Sequence, residues 1–166
     1  MKRILTVLVE DCPGVLTRVS GLFSRRGYNI KNIAVGRTME QGISRMTITV
    51  DADPHTVEQI VKQLNKQVNI LKVSDLTEES YVGRELMLVK VKAEPGRRSE
   101  IQQMVETFRA KIIDVSPDSM IIEVTGEEDK LNAFTLMMQE FGIKEIVCTG
   151  NISLLRGSKV TRETRT

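Results

Sequence analysis

The chain of 166 residues has no tryptophan, and an aromatic content of 4% leaves few rings on which bases could stack. Its formal net charge of +2 provides no broad basic field either, so a nucleic-acid surface is excluded as a main function. Cysteine is limited to Cys12 and Cys148. Two cysteines outside any CxxC or Cys/His cluster build neither a disulfide framework nor a metal site, and a cytoplasmic location is the expectation. The single histidine, His55, follows Pro54 in the first turn of an expected helix, which is no place for a Ser/His/Asp or Cys/His relay. Neither a Walker loop nor GxGxxG is present. The carboxylate pairs Glu78-Glu79 and Glu127-Glu128 fall in a linker and at a helix start, so no catalytic constellation remains. No apolar run approaches the ~20 residues of a membrane span. The apolar residues 4–9 behind Lys2-Arg3 are stopped by Glu10-Asp11, short of the ~7–15 residues of a signal core.

What is present is a repeat. Pro13-Gly14 returns as Pro95-Gly96, 82 residues on, each time between an apolar strand and an amphipathic helix. The same offset carries Ile30 to Ile112 and Ile33 to Val115. It then drops to 74 for Val50 to Val124, Ile60 to Phe134 and Leu64 to Met138. One module written twice, with a hairpin trimmed in the second copy, accounts for both offsets.

Within the first copy, residues 4–9 read as a strand, and Val15, Val19, Leu22 and Phe23 as one helical face ending at Gly27. Residues 29–38 and 43–51 read as a hairpin. Asp53-Pro54 caps a helix with Val57, Ile60, Val61 and Leu64 on its apolar side, and residues 70–76 close the unit. The order βαββαβ gives the fold class: α+β, two ferredoxin-like units in tandem. The expected domains are 1–78 and 84–157, with a linker over 77–83, a last strand over 145–154 and a frayed basic tail over 158–166. Both faces of the first strand are largely apolar, with Leu5, Val7 and Val9 alternating with Ile4, Thr6 and Leu8. A one-sided sheet would show a polar outer face, so the second copy, another subunit or both should cover it.

Residues 11–16 are the strongest ligand feature. Pro13 donates no backbone hydrogen bond, Gly14 has no Cβ, and the N–H groups of Val15 and Leu16 should face outward at the positive end of a helix, where a small carboxylate fits. Asn29 and Asn32 open the following strand and offer donors and acceptors for an amino acid's charged groups. A plain Pro-Gly turn explains the same spacing equally well. In the second copy Arg97-Arg98 follows Pro95-Gly96, so the same pocket is not implied there.

The run Glu10-Asp11-Cys12-Pro13-Gly14-Val15-Leu16, the stretch from Gly21 through Arg26 to Ile30, and Ile43-Ser44-Arg45-Met46-Thr47 resemble the small regulatory subunit of acetolactate synthase. Residues 84–91 and 108–115 are similar to that subunit's second domain. The resemblance implies an N-terminal ACT domain and a C-terminal ACT-like one, with a homodimer that binds L-valine at the ACT interface. It also implies activation and feedback inhibition of a separate large catalytic subunit in branched-chain amino-acid biosynthesis. That catalytic subunit would hold thiamine diphosphate, magnesium and FAD, with no cofactor or metal in this chain. The matched effector residues are Asp11, Gly14, Val15 and Leu16 together with Asn29 and Ile30. Asp11 departs from the Asn frequent at its place, and its charge would attract an ammonium and repel a carboxylate. The alternatives are a stand-alone ACT-type regulator of another protein and, in a third class, a small enzyme.

Overall fold

The computed structural model describes residues 1–161. The first module is built from β1 (Lys2–Glu10), α1 (Val15–Arg25), β2 (Ile30–Arg37), β3 (Ile43–Asp51), α2 (Pro54–Asn65) and β4 (Ile70–Asp75). Its antiparallel sheet has the order β2-β3-β1-β4. Period-2 alternation turns Leu5, Val7 and Val9 of β1 and Met46, Ile48 and Val50 of β3 toward the helices. There they meet Val15, Val19, Leu22 and Phe23 of α1 and Val57, Ile60 and Leu64 of α2. Burying a side chain such as Ile60 contributes about 1.5–3 kcal/mol. The helix α2 starts as its sequence dictates. Asp53 accepts the Thr56 N–H at 2.9 Å and the Thr56 hydroxyl at 2.6 Å, with Pro54 at the first helical position.

The second module repeats the plan with β5 (Tyr81–Lys92), α3 (Arg98–Thr107), β6 (Lys111–Val115), β7 (Ser119–Gly126), α4 (Glu128–Gln139) and β8 (Ile143–Cys148). The sheet order β6-β7-β5-β8 matches the first. Val89, Val91, Ile101, Ile122, Phe134 and Met138 form its core, and Phe108 meets Phe134 edge-on at 5.2 Å. The trimmed hairpin turns through residues 116–118, where Ser116 N–H reaches Ser119 O at 2.8 Å.

The end of the chain departs from the sequence reading. The strand expected over 145–154 is two, β8 and β9 (Ile152–Leu155), because Gly150 at φ 81° turns the chain between them. β5 starts at Tyr81, inside the expected linker, and β9 pairs with β5. The compact units are Met1–Val82 together with the described residues from Asn151 onward, and Gly83–Gly150. Thus 151–157, expected within the second domain, pack with the first. Of the tail expected over 158–166, residues 162–166 lie outside the described residues, and Lys159 pairs with Glu79 at 2.7 Å.

The expected cover of the first sheet's outer face comes in part from this returning segment. Ile4, Thr6, Leu8, Thr47 and Thr49 are all buried. Arg45, on β3 opposite Leu8, donates to Ser153 O at 2.6 Å, and Asn151 N–H donates to Asn32 Oδ1 at 3.4 Å. Asn151 and Ser153 are buried, whereas Ile152 and Leu154 are exposed.

Candidate functional site

The loop after β1 is fixed at its base by its own backbone. Glu10 N–H donates to Asn69 O at 2.9 Å and Asp11 N–H to Gly42 O at 2.7 Å, so the α2–β4 turn and the β2–β3 hairpin both join the loop. Gly14 caps α1 at φ 83°, a left-handed conformation that glycine adopts without strain, and it provides no side-chain cap. A Cβ built there would meet only Arg18 Nη2, at 4.0 Å, so the space above Gly14 is open. Asp11 and Leu16 are exposed. Val15 differs from expectation: its side chain is in the core and its N–H turns back on Cys12 O at 3.4 Å. Of the two expected donors Leu16 N–H remains, with Thr17 N–H beside it in the first turn, where helices lack internal acceptors.

Sequence reasoning missed Arg18. Its guanidinium donates to Asn69 Oδ1, and Asn69 Nδ2 donates in turn to Glu10 Oε2 at 2.7 Å. A cation is thereby held beside Gly14 at the end where an anion would sit. The signal was the spacing of four from Gly14, which puts Arg18 above the loop on one helical face.

Asn29 and Ile30 lie elsewhere. Asn29 is exposed, and Ile30 packs partly into the core opposite Val50. Val50 pairs with Arg3 near the start of β1, whereas the loop leaves β1 after Glu10, which pairs with Ile43. Seven residues of strand, roughly 23 Å, separate these two ends. One chain therefore does not bring Asn29-Ile30 to residues 11–16. Asn32, the other candidate asparagine, already accepts the Asn151 N–H.

The duplicated loop is filled from within. Arg98 reaches the carbonyls of Ser116 at 2.9 Å, Pro117 at 2.6 Å and Ala93 at 3.4 Å. Arg97 stacks over Phe141 at 4.5 Å and pairs with Glu100 at 3.2 Å, so both arginines are occupied by the second module itself. His55 is exposed at the start of α2. The Cys148 thiol is pushed up to about 11 by burial, and then by the hydrogen bond to Glu85 Oε2 at 3.2 Å and that carboxylate's charge. It is therefore a poor thiolate. Among the described residues no group of three or more His, Cys, Asp or Glu could hold a metal, and no helix is long and apolar enough to cross a membrane.

Two βαββαβ units in tandem, the first opening its helix on a left-handed glycine, define a protein of the ACT-like α+β class. A family model described as an AHAS small subunit-like ACT domain matches residues 5–72, and one described as the small subunit of acetolactate synthase matches residues 84–157. The chain belongs to the acetolactate synthase small-subunit family. It is 51% identical to the acetolactate synthase small subunit of Mycobacterium bovis, over 93% of this chain and 92% of that one. Identity to the small subunit of Bacillus subtilis is 48%, over 96% and 93%. The crystal structure of the Thermotoga maritima small subunit superposes with a TM-score of 0.89 at 40% identity, covering 96% of this chain and 99% of that one.

Proposed function

We propose that this chain is the valine sensor of acetolactate synthase. It forms a homodimer, binds L-valine between two ACT domains, activates the large catalytic subunit and transmits feedback inhibition to it in the cytoplasm. The catalytic subunit supplies thiamine diphosphate, magnesium and FAD chemistry. In this chain the residues present set a different task, which is to hold an amino acid.

The observation that carries this reading is the separation of the two half-sites. Strand β2 is an edge of its sheet. An antiparallel partner on that edge, related by a twofold axis through the middle of β2, would set its own Ile30 beside this chain's Arg37. Arg37 pairs with Ser44 at the hairpin end, where Gly42 O holds Asp11. A second copy thus brings Asn29-Ile30 to residues 11–16. The effector carboxylate would lie on the Leu16 N–H near Arg18, with its ammonium toward Asp11 or the mate's Asn29. Asp11 then favours the ammonium end, which answers the repulsion expected of its charge.

The test is copurification with the large subunit, followed by assay with and without valine. Activity should rise on mixing and fall with valine. No change of activity on mixing would reject the assignment.

A further inference from the structure

The segment running from Asn151 into β9 comes last in the chain yet packs with the first unit, and its polar side chains face inward. Asn151 and Ser153 are 6% and 4% exposed, while the apolar Ile152 and Leu154 between and after them are 60% and 65% exposed. The segment is tied down by hydrogen bonds of its backbone rather than by apolar burial, and the buried Ser153 Oγ itself has no hydrogen-bond partner. Two such bonds reach the first sheet. Ser153 O accepts from Arg45 of β3 at 2.6 Å, and Asn151 N–H donates to the side chain of Asn32 at 3.4 Å. Arg45, opposite Gly36 and Leu8, anchors the segment toward the hairpin end of the sheet, and Asn32 is the anchor that bears on the effector half-site. Asn32 lies two residues beyond Ile30 in β2, where the register against β3 shifts between Ile30 and Asn32. A bulged start of an edge strand has the fewest ladder bonds to fix it. Burial also lowers the Arg45 pKa, in keeping with a half-buried guanidinium.

We infer that residues 151–155 are a strap belonging to the effector domain, with Arg45 anchoring it to β3 and Asn32 the positioning residue through which it sets the start of β2. Asn29 and Ile30 are then presented in one conformation because the strap fixes Asn32 behind them. This rests on the effector reading above. Asn32 serves here as an anchor, not as a ligand.

The test uses the full-length chain with the substitutions Asn32→Leu and Arg45→Met combined, which remove acceptor and donor while keeping bulk. A second form, Asn32→Asp with Arg45→Lys, restores an acceptor and a cation. In the ligand-free proteins, amide hydrogen exchange over 30–33 should quicken by about tenfold or more in the Leu/Met form and return toward wild type in the Asp/Lys form. Exchange unchanged in the Leu/Met form overturns the strap, whether or not any protein binds valine. Should that form fail to fold, wild type decides: amides of 151–155 and 30–33 opening together in rising denaturant support the strap, and independent opening refutes it. The dissociation constant for valine, by calorimetry, should rise at least tenfold in the Leu/Met form with activation kept. An unchanged constant overturns the positioning role. A wild type that binds no valine rejects the effector reading alone, and the exchange result still stands.

Discussion

At Gly14 the physical argument rests on one backbone angle and one neighbour. Any L side chain at φ 83° is strained by about 1–2 kcal/mol, less for Asp or Asn. Gly14→Ala should therefore lower stability by about that much, measured by urea unfolding, since the space around its Cβ is open. Gly14→Asp adds a charge facing the effector carboxylate. At ~4 Å and an effective dielectric of 20 the repulsion is about 4 kcal/mol before solvent screening, and Arg18 beside it offsets part. Valine inhibition should weaken tenfold or more while activation persists, and unchanged inhibition would remove residues 11–16 from the site. Cys148 gives a second residue-level test. At pH 8 a thiol of pKa about 11 is roughly 0.1% thiolate, against about a quarter for an unperturbed one. Alkylation of folded protein at Cys148 should be about two-hundredfold slower than of unfolded protein, and Glu85→Gln should speed it. At this scale the chemistry of glycine and asparagine pointed to Gly14, Asn29 and Asn32 as candidates from the sequence alone. The sequence did not reveal Arg18, whose value lies in its contact with Asn69 of the α2–β4 turn, itself held by Glu10 at the end of β1.

At the level of elements, the N-cap of α2 links sequence to pH dependence. The Thr56 hydroxyl and then its N–H hold the Asp53 carboxyl below the usual aspartate range. A depressed folded pKa contributes stability that is present above the unfolded pKa of ~4 and is lost as pH falls through the lower folded value. Asp53→Asn should therefore be less stable than wild type at pH 7, and the gap between the two melting temperatures should narrow as pH falls from neutral into the acid range. A gap that does not narrow on acidification would mean the cap acts by shape alone. Within the core, Ile60→Ala should cost about 2–5 kcal/mol in denaturant unfolding. Helices and sheet order were legible because 3.6-residue and two-residue periods are local. The break at Gly150 was not, since glycine between apolar runs fits a bulge as well as a turn, and only the pairing of β9 with β5 decides.

For the whole molecule the deciding quantity is how many sites a mixed dimer keeps. Pair a Gly14→Asp chain with an Asn29→His chain. If each site takes its loop from one chain and Asn29-Ile30 from the other, both substitutions fall in one site and its mate stays wild type. Isolated heterodimers should bind half the valine of wild-type dimers by calorimetry, and heterodimers that bind none would return the site to single chains. Saturation with valine at a hundred times its dissociation constant should add about 2.7 kcal/mol to stability, seen as a raised melting temperature. Neither the distance between the half-sites nor the return of residues 151–155 was legible in the sequence. Both depend on which strand lies beside which, and the apolar pattern of β1 reported only that its outer face is covered.

That return also gives the first unit an order of manufacture. A ribosome adding about 5–20 residues per second finishes β4 several seconds before Asn151 is made. Through that interval the outer face bearing Ile4 and Leu8 waits without its strap, apolar and open to chaperones or to neighbouring nascent chains on the same message. The domain that is synthesised first is the one completed last.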